Sequence, residues 1–270
     1  MGATDFETLE WHFDSERGVG RIVLDRPDSL NALSNGMLTE LTEALGRFER
    51  RDEESGGVAV RAVAIAGGGD DAFCVGADLK EIARGDGEFP GKTGAGHEVF
   101  DAVERFPAPV LAEVDGYCLG GGLELAVACD FRFASGDSTF GQPEIHLGLF
   151  PGAGATHRLP DLVGANRAKE LMMTGDTIEA GQAIADGLVD RVYPSERFAD
   201  ACREFLDTLA DRPPLAVRGI KDVVDTTGHL DTEAAENYAT HAYRRLAESE
   251  DHRRGLEAYF EDEEPEWVGR

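Results

Sequence analysis

The sequence predicts an α/β fold for residues 1–195 and a purely helical region for residues 196–270. In the first part, short apolar runs typical of strands alternate with glycine-rich turns and with segments of helical periodicity. In the second part only helical patterns occur, interrupted at Pro213 and Pro214. Since 270 residues can bury a full hydrophobic core, we expect one α/β body with a helical extension.

The first predicted elements are a hairpin and a helix. Residues 7–13 and 19–25 are β-like runs on either side of a turn, which predicts two antiparallel strands. The loop RPDSLNAL, residues 26–33, follows and ends near Ser34, a residue type that caps helices. From Met37 onward, apolar residues recur at helical spacing and predict a buried helix face: Leu38, Leu41, Leu45 and Phe48.

A glycine-rich segment follows the predicted strand Arg61–Ala66. Residues 67–72 match the pattern G-x-G-x-x-A of dinucleotide sites, but such a site needs a helix that opens at those glycines. The next helix is predicted to start only near residues 78–79, so we disfavour this interpretation. Residues 73–77 are instead predicted to be a loop whose backbone amides lead into a helix, a candidate binder of an anion or oxyanion.

The rest of the α/β part alternates in the same way. Gly85–Gly96 is polar and rich in glycine, which predicts a flexible loop. A strand is expected at Val110–Val114, and a glycine turn, a helix and a strand are expected within residues 116–134. The last strand of this part is expected at Leu188–Tyr193.

Two glutamates stand out within Gly116–Gly154. Glu124 lies at the start of an apolar helical segment that follows the glycines 120–122, and Glu144 follows a Gln-Pro turn. Two carboxylates beside closely approaching backbone amides are suited to proton transfer next to a developing oxyanion. From these residues alone, glycines that serve packing and glutamates that are solvated remain an alternative.

The charge is strongly acidic. Asp and Glu number 53 against 26 Lys and Arg, and the formal net charge is -27. Such an excess causes self-repulsion in dilute salt, whereas at about 1 M salt the Debye length is only about 3 Å. We therefore expect a cytoplasm rich in salt. No basic patch is interleaved with aromatic residues, so we expect no nucleic-acid partner.

Cysteine and histidine spacing predicts no metal site. The four cysteines have no CxxC spacing, and no HExxH occurs. We expect buried free thiols and a reducing compartment: Cys74, Cys118, Cys129 and Cys202. Met1–Glu10 has neither a basic n-region nor an apolar h-region, and no apolar run approaches 18 residues. We therefore expect a cytoplasmic protein without a membrane partner.

Six segments of the chain resemble the crotonase, or enoyl-CoA hydratase/isomerase, superfamily. They occur in the family's order and spacing: RPDSLNAL, FCVGADLKE, GYCLGGGLELAVACD, FGQPEIHLGLFPGAGATHRL, ADGLVDRV and SEDHRRGLEAYFE. The resemblance implies a crotonase-like spiral of ββα turns with a C-terminal helical region that forms homotrimers or hexamers. It is strongest to enoyl-CoA hydratases, which degrade fatty acyl-CoA or related thioesters.

The resemblance also implies roles for four residues. The backbone amides of Ala77 and Gly121 correspond to an oxyanion hole, and Glu124 and Glu144 to the catalytic pair. Water would add syn to the C2=C3 bond of a trans-2-enoyl-CoA, giving a 3-hydroxyacyl-CoA. We expect Glu124 to activate the water and Glu144 to supply the C2 proton, with no cofactor besides the coenzyme A of the substrate.

Substrate contacts are implied in two further segments and at the oxyanion amides. These positions are Arg26, Leu30, Ala32, Ala77, Asp78, Leu79, Lys80 and Gly121. Lys80 is equally consistent with a solvated helix lysine. Residues 261–264 are acidic where relatives carry a basic stretch. If that stretch holds the coenzyme's phosphates in relatives, this protein must use other residues, for which Arg253 and Arg254 are candidates.

Three other functions remain as alternatives. Within the same fold, an enoyl-CoA isomerase or another acyl-CoA enzyme is possible, although many such relatives lack one of the two glutamates. A non-catalytic oligomeric binding protein would not need the intact glutamates and glycines. A nicotinamide oxidoreductase would need the dinucleotide site disfavoured above.

Overall fold

The computed structural model describes residues 6–85 and 94–270. The predicted loop Gly85–Gly96 falls largely on residues 86–93, outside this part of the chain. The described strands are β1 Leu9–Asp14, β2 Val19–Leu24, β3 Ala62–Gly67, β4 Ala72–Cys74, β5 Val110–Val114, β6 Tyr117–Leu119, β7 Phe131–Ser135, β8 Thr139–Gly141, β9 Thr177–Glu179 and β10 Arg191–Tyr193.

The helices alternate with these strands along the chain and continue after the last strand. They are α1 Asn35–Ser55, α2 Leu79–Arg84, α3 Ala95–Glu104, α4 Gly121–Val127, α5 Ala155–Val163, α6 Ala165–Thr174, α7 Ala180–Ala185, α8 Ser195–Ala210, α9 Pro214–Thr227, α10 Thr232–Ala247 and α11 Glu250–Glu261. Two short 3-10 helices span Pro27–Ser29 and Pro143–Leu147. Among the helices described, none combines the length and the apolar composition that a bilayer crossing requires.

The strands form two sheets. The larger sheet has the order β1-β2-β3-β5-β7-β10, in which β1 and β2 are antiparallel and the remaining neighbours are parallel. The smaller sheet has the order β4-β6-β8-β9, in which only β9 runs antiparallel to its neighbour. The hairpin predicted at the start of the chain is therefore confirmed.

Successive turns of the chain repeat one pattern of strand, strand and helix. In each turn the first strand joins the larger sheet and the second joins the smaller one: β3 and β4, then β5 and β6, then β7 and β8. Because equivalent strands of successive turns pair in parallel, the carboxyl ends of β4, β6 and β8 lie side by side. The loops after these three strands therefore meet at one edge of the smaller sheet.

The predicted amphipathic helix is confirmed as α1. The Ser34 hydroxyl caps it by accepting a hydrogen bond from the Met37 amide at 3.1 Å. Its apolar face is buried in the main core, where Phe48 stacks on Trp11 of β1 with ring centroids 4.8 Å apart. This packing holds the hairpin against the helix. The loop 26–33, which connects the two, is therefore fixed at both ends.

Two short strands lie where the sequence predicted loops. β4 covers the start of the predicted loop 73–77, and β6 lies inside the predicted glycine turn. Each has only three residues, and short apolar runs of this kind carry too little periodicity to be recognised. The final strand is also shorter than predicted, since β10 begins only at Arg191.

The helical region begins against the larger sheet. Phe198, Cys202 and Leu206 of α8 pack on residues of β3, β5 and β7 in a second apolar cluster. The end of the chain also returns to the body, because the Arg61 guanidinium donates to the carbonyls of Ala210 at 2.9 Å and Trp267 at 2.8 Å. The division between residues 1–195 and 196–270 stays a prediction.

Candidate active site

Three loops surround an apolar cavity of about 380 Å³. They follow the neighbouring strands of the smaller sheet: residues 75–77 after β4, 120–121 after β6 and 142–144 after β8. The loops bring Ala77, Gly121, Glu124 and Glu144 to the wall of this one cavity. The structure therefore brings together all four residues for which the sequence predicted a chemical role.

Two backbone N–H groups at the cavity are available to a ligand. In the described part of the chain, neither Ala77 N–H nor Gly121 N–H donates to a protein acceptor. The two loops also touch, because a Cβ on Gly76 would lie 2.8 Å from the Gly121 nitrogen. Two free donors on closely packed loops can bind one negatively charged oxygen.

The first of these loops is held by the N-terminal loop. Leu33 N–H donates to the Gly76 carbonyl at 2.7 Å, and Asp78 N–H donates to the Leu33 carbonyl at 3.0 Å. These bonds place Ala77 opposite Leu33 in an isolated parallel bridge. Its amide is thereby oriented before any ligand binds.

Gly120 is required by both conformation and space. Its φ of 52° with ψ of -126° is a backbone conformation that side chains strongly disfavour. A Cβ there would also lie 2.9 Å from Oε1 of Glu144. A glycine at this position therefore lets the Glu144 carboxyl approach the amide-bearing turn.

Glu124 is a buried carboxyl with two fixed donors. Its residue is 4% exposed, and Oε1 accepts hydrogen bonds from Ala153 N–H at 2.7 Å and Ala155 N–H at 3.1 Å. Burial raises the pKa of Glu124, and these two donors partly offset that rise. Within the described part of the chain, the second oxygen accepts no hydrogen bond, and Glu124 lines the cavity.

Glu144 is a half-buried carboxyl with a strongly shifted pKa. Burial, together with the nearby charge of Glu124, raises the pKa of Glu144 to about 7 against a weaker opposing effect of its backbone hydrogen bond. The fully buried Gln142 lies beside Glu144. With its side-chain amide oriented to donate, Gln142 Nε2 lies 3.1 Å from Glu144 Oε1 and 3.0 Å from Glu144 Oε2. Near neutral pH, Glu144 can therefore both donate and accept a proton.

The rest of the cavity wall is largely apolar. It is formed by Leu33, Val75, Leu79, Phe100, Leu147, Leu149 and Phe150, together with small residues. Phe100 is fully buried, whereas Phe150 is 73% exposed, so the wall runs from the core to the surface. Such a cavity suits an apolar chain whose polar end remains near solvent.

The positions predicted to contact the substrate divide into two groups. Ala77, Leu79 and Gly121 line the cavity. The others do not line it: Arg26, Leu30, Ala32, Asp78 and Lys80. Lys80 is exposed on α2, next to Leu79 at the mouth.

Arg26 is occupied within the protein. Its guanidinium donates to the Ala32 carbonyl at 2.5 Å and to Asp78 Oδ2 at 2.7 Å. Asp78 in turn caps α2 by accepting from the amides of Lys80 and Glu81. In this arrangement Arg26 and Asp78 brace the loop that carries Ala77.

Sequence reasoning missed several residues that shape the site. Gln142 was part of a recognised motif, yet only its burial beside Glu144 reveals its contact. Ala153 and Ala155 act through backbone amides, for which no side chain gives a signal. Leu33 lies at the end of a recognised loop, and its contact with the loop 75–77 depends on the tertiary fold.

The structure offers little support for a dinucleotide or metal site. β3 ends at Gly67 and β4 begins at Ala72, so the glycines between them do not open a helix that could bind a pyrophosphate. Within residues 6–85 and 94–270, no group of three His, Cys, Asp or Glu side chains could hold a metal ion. The polar groups at the cavity include the carboxyls of Glu124 and Glu144 and the amides of Ala77 and Gly121.

The repeated ββα turns carry a cavity with two carboxyls and two free amides, which are the groups of an enzyme that moves protons beside an oxyanion. The chain belongs to the enoyl-CoA hydratase/isomerase family, because the sequence model of that family matches residues 14–270. A short-chain-enoyl-CoA hydratase of Clostridium acetobutylicum is 34% identical over 249 residues, covering 92% of this chain and 93% of that protein.

Two further comparisons agree with this assignment. A crotonyl-CoA hydratase of Syntrophomonas wolfei is 33% identical over 258 residues, covering 95% of this chain and 97% of that protein. The crystal structure of an enoyl-CoA hydratase from Bacillus anthracis gives a TM-score of 0.89 at 33% identity, covering 98% of this chain and 100% of that one. The crotonase-like fold expected from the sequence is confirmed.

Proposed function

We propose that this chain is an enoyl-CoA hydratase, which adds water to the C2=C3 bond of a trans-2-enoyl-CoA and forms a 3-hydroxyacyl-CoA. The observation that carries the proposal is that two glutamates line one apolar cavity together with two backbone N–H groups that donate to no acceptor in the described part of the protein. The names of the similar proteins support the same substrate class. Hydration involves no net oxidation or reduction, so the proposed reaction needs no cofactor beyond the coenzyme A of the substrate.

In the proposed mechanism, the thioester oxygen accepts hydrogen bonds from Ala77 N–H and Gly121 N–H. Glu124 accepts a proton from a water molecule while the water oxygen bonds to C3. The electron pair of the C2=C3 bond moves toward the thioester, and the two amides stabilise the resulting enolate oxygen. Glu144 then donates its proton to C2.

The environments of the two carboxyls support this division of roles. Burial raises the pKa of Glu124, but the two N–H donors at Oε1 offset part of that rise and favour the charged form that a base requires. Glu144 has a pKa of about 7, so a large fraction is protonated near neutral pH, as an acid requires. Transfer of the proton from Glu124 to Glu144 then restores the starting state.

We propose that the pantetheine of coenzyme A leaves the cavity past Ala77 and Leu79, and that Lys80 lies toward the phosphates. Leu79 is 48% exposed at the mouth, and Lys80 is exposed beside it. Arg26, Leu30, Ala32 and Asp78 would support this path from behind, because the bonds of Arg26 already tie their loop to α2.

A panel of enoyl-CoA thioesters tests the proposed activity. We expect the purified protein to hydrate trans-2-enoyl-CoA substrates, measured as loss of absorbance of the conjugated thioester, with a preference that depends on chain length. A 3-enoyl-CoA that is converted to its 2-enoyl isomer without hydration would favour the isomerase alternative. No turnover of any member would contradict the proposal and favour a binding role.

We also propose that the chain assembles into a homotrimer or hexamer through its helical region. Large apolar side chains are exposed on α9, α10 and α11, namely Ile220, Val224, Tyr243, Tyr259 and Phe260. Exposed apolar area of this kind is typical of subunit interfaces. A mass measured in solution distinguishes a monomer from a trimer and a hexamer.

Finally, we propose that the protein functions in a cytoplasm rich in salt. With a net charge of -27, self-repulsion destabilises the folded state at low ionic strength, and salt screens it. We expect the melting temperature to rise as KCl increases from about 0.1 M to about 2 M, where the Debye length falls from about 10 Å to below about 3 Å. A melting temperature that falls over this series would contradict the proposal.

A further inference from the structure

One buried cation lies next to the loop that holds Glu124. Arg158, on α5, has a side chain only 5% exposed, and its Nη2 donates to Asp101 Oδ1 at 2.5 Å and Glu104 Oε2 at 2.8 Å. Both carboxylates belong to α3. Burying a guanidinium costs free energy unless its charge and donors are matched, and these two ion pairs meet part of that requirement.

The same guanidinium also contacts the backbone beneath Glu124. Arg158 Nη1 donates to the Ala153 carbonyl at 3.3 Å, and the Ala153 amide donates to Glu124 Oε1 at 2.7 Å. Ala153 therefore accepts a hydrogen bond from Arg158 and donates one to Glu124. The position of the Ala153 amide depends on where its carbonyl is held.

Gly154 shows how closely the arginine and this loop fit. Its φ of 130° is in the region that favours glycine, and a Cβ there would overlap Nη1 of Arg158. The guanidinium thus occupies the space that the missing side chain leaves. The loop and the arginine are fitted to each other as one unit.

The two ion pairs connect this unit to another part of the cavity wall. α3 carries Asp101 and Glu104, and the same helix carries Phe100, which lines the cavity. Arg158 therefore links the helix that contributes Phe100 to the apolar wall with the loop that donates to the Glu124 carboxyl. A displacement of either one would change the distance from the substrate carbon to Glu124.

We propose that Arg158 is a positioning residue for Glu124, acting through Ala153 and without touching the substrate. This inference rests on the proposed hydration, in which Glu124 accepts the proton of water. In the described part of the chain, the ionisable groups that influence Glu124 include Arg158 from α5, His97 from α3 and Glu144. The positive charge of Arg158 favours ionised Glu124, so the arginine supports both the position and the charge of the base.

The test compares Arg158→Gln and Arg158→Lys with the unchanged protein in hydration of crotonyl-CoA. We expect Arg158→Gln to lower kcat about tenfold to a hundredfold, the scale of a misplaced catalytic group, with KM changed less than about threefold. Loss of the cation raises the pKa of Glu124, so the acidic limb of the kcat profile moves to higher pH. Arg158→Lys keeps the charge but loses the fork of donors, so kcat falls while that limb stays in place.

Arg132→Gln is the matched control. Arg132 is equally buried and donates to the carbonyls of Cys129 and Leu188, but it has no hydrogen bond to the loop beneath Glu124. We expect this variant to lose stability, measured by its melting temperature, while kcat and the acidic limb stay close to those of the unchanged protein.

Each outcome bears on the inference. Unchanged kcat in Arg158→Lys, or in a folded Arg158→Gln, overturns it, and so does an equal loss of kcat in Arg132→Gln. If Arg158→Gln does not fold, Arg158→Lys decides alone. Failure of the unchanged protein to hydrate any thioester would instead contradict the proposed function, so the two failures are distinguishable.

Discussion

Replacing Glu144 or Glu124 by glutamine is expected to lower hydration of crotonyl-CoA by at least about a hundredfold, the scale of general acid-base catalysis. Glutamine has nearly the same shape as glutamate but neither donates an acidic proton nor accepts one. In Glu124→Gln, the amide oxygen can still accept from Ala153 N–H and Ala155 N–H, so the fold should persist. The measurement is kcat for each purified variant, with circular dichroism to verify folding.

Glu113→Gln provides the control for these two substitutions. Glu113 is also a buried glutamate, but it lies on β5 and pairs with Arg21, away from the cavity. We expect its kcat to stay within about threefold of the unchanged protein, since it lacks contact with the reacting atoms. Turnover near that of the unchanged protein in either cavity variant would contradict the role proposed for that glutamate.

The substitution Glu144→Gln is also expected to stabilise the protein at pH 8. The folded pKa of about 7 lies above the ordinary value of 4.5, so the folded state holds a proton that the unfolded state has lost between these values. Stability therefore falls as pH rises from about 4.5 to about 7. Glutamine does not titrate, so the free energy of unfolding of the variant should exceed that of the unchanged protein by about 1–3 kcal/mol at pH 8.

Thermal or urea unfolding at several pH values measures this difference, which should nearly vanish by about pH 4.5. Glu40→Gln is a control of opposite sign. Burial tends to raise the pKa of Glu40, but hydrogen bonds from Thr8 and Glu7 outweigh it and lower the pKa. That variant should therefore be less stable at pH 8. A Glu144→Gln variant that is equally or less stable at pH 8 would contradict the prediction.

The sequence was sufficient to select the four residues that meet at the cavity. Glu124, Glu144, Ala77 and Gly121 all belong to motifs with distinctive residue types, and the structure brings them to one cavity. The amphipathic pattern of α1 and the alternation in the first hairpin were equally readable. In these cases the local pattern and the tertiary environment agree.

What could not be predicted depends on contacts between distant segments. β4, β6 and β8 have three residues each, too few to show a period, yet their parallel pairing is what gathers the three loops. Arg26 illustrates the same limit for a side chain. The resemblance implied a contact with the substrate, whereas its guanidinium is bonded to Ala32 and Asp78 within the protein.

The cause of the raised pKa of Glu144 could not be read from the sequence. Burial of the carboxyl has the largest effect, and the charge of Glu124 adds a smaller one. Burial depends on the packing of the 3-10 helix Pro143–Leu147 over the cavity, which no local pattern reports.

The spiral also separates the chemical tasks along the chain. The amide of Ala77 comes from the first repeated turn, Gly121 and Glu124 come from the second, and Glu144 comes from the third. In the proposed mechanism, stabilising the enolate uses only the first two turns, whereas the proposed acid, Glu144, belongs to the third. A substitution or insertion after β8 can therefore exchange the proton donor while the oxyanion-binding part remains intact, which makes this scaffold adaptable to other reactions that pass through a thioester enolate.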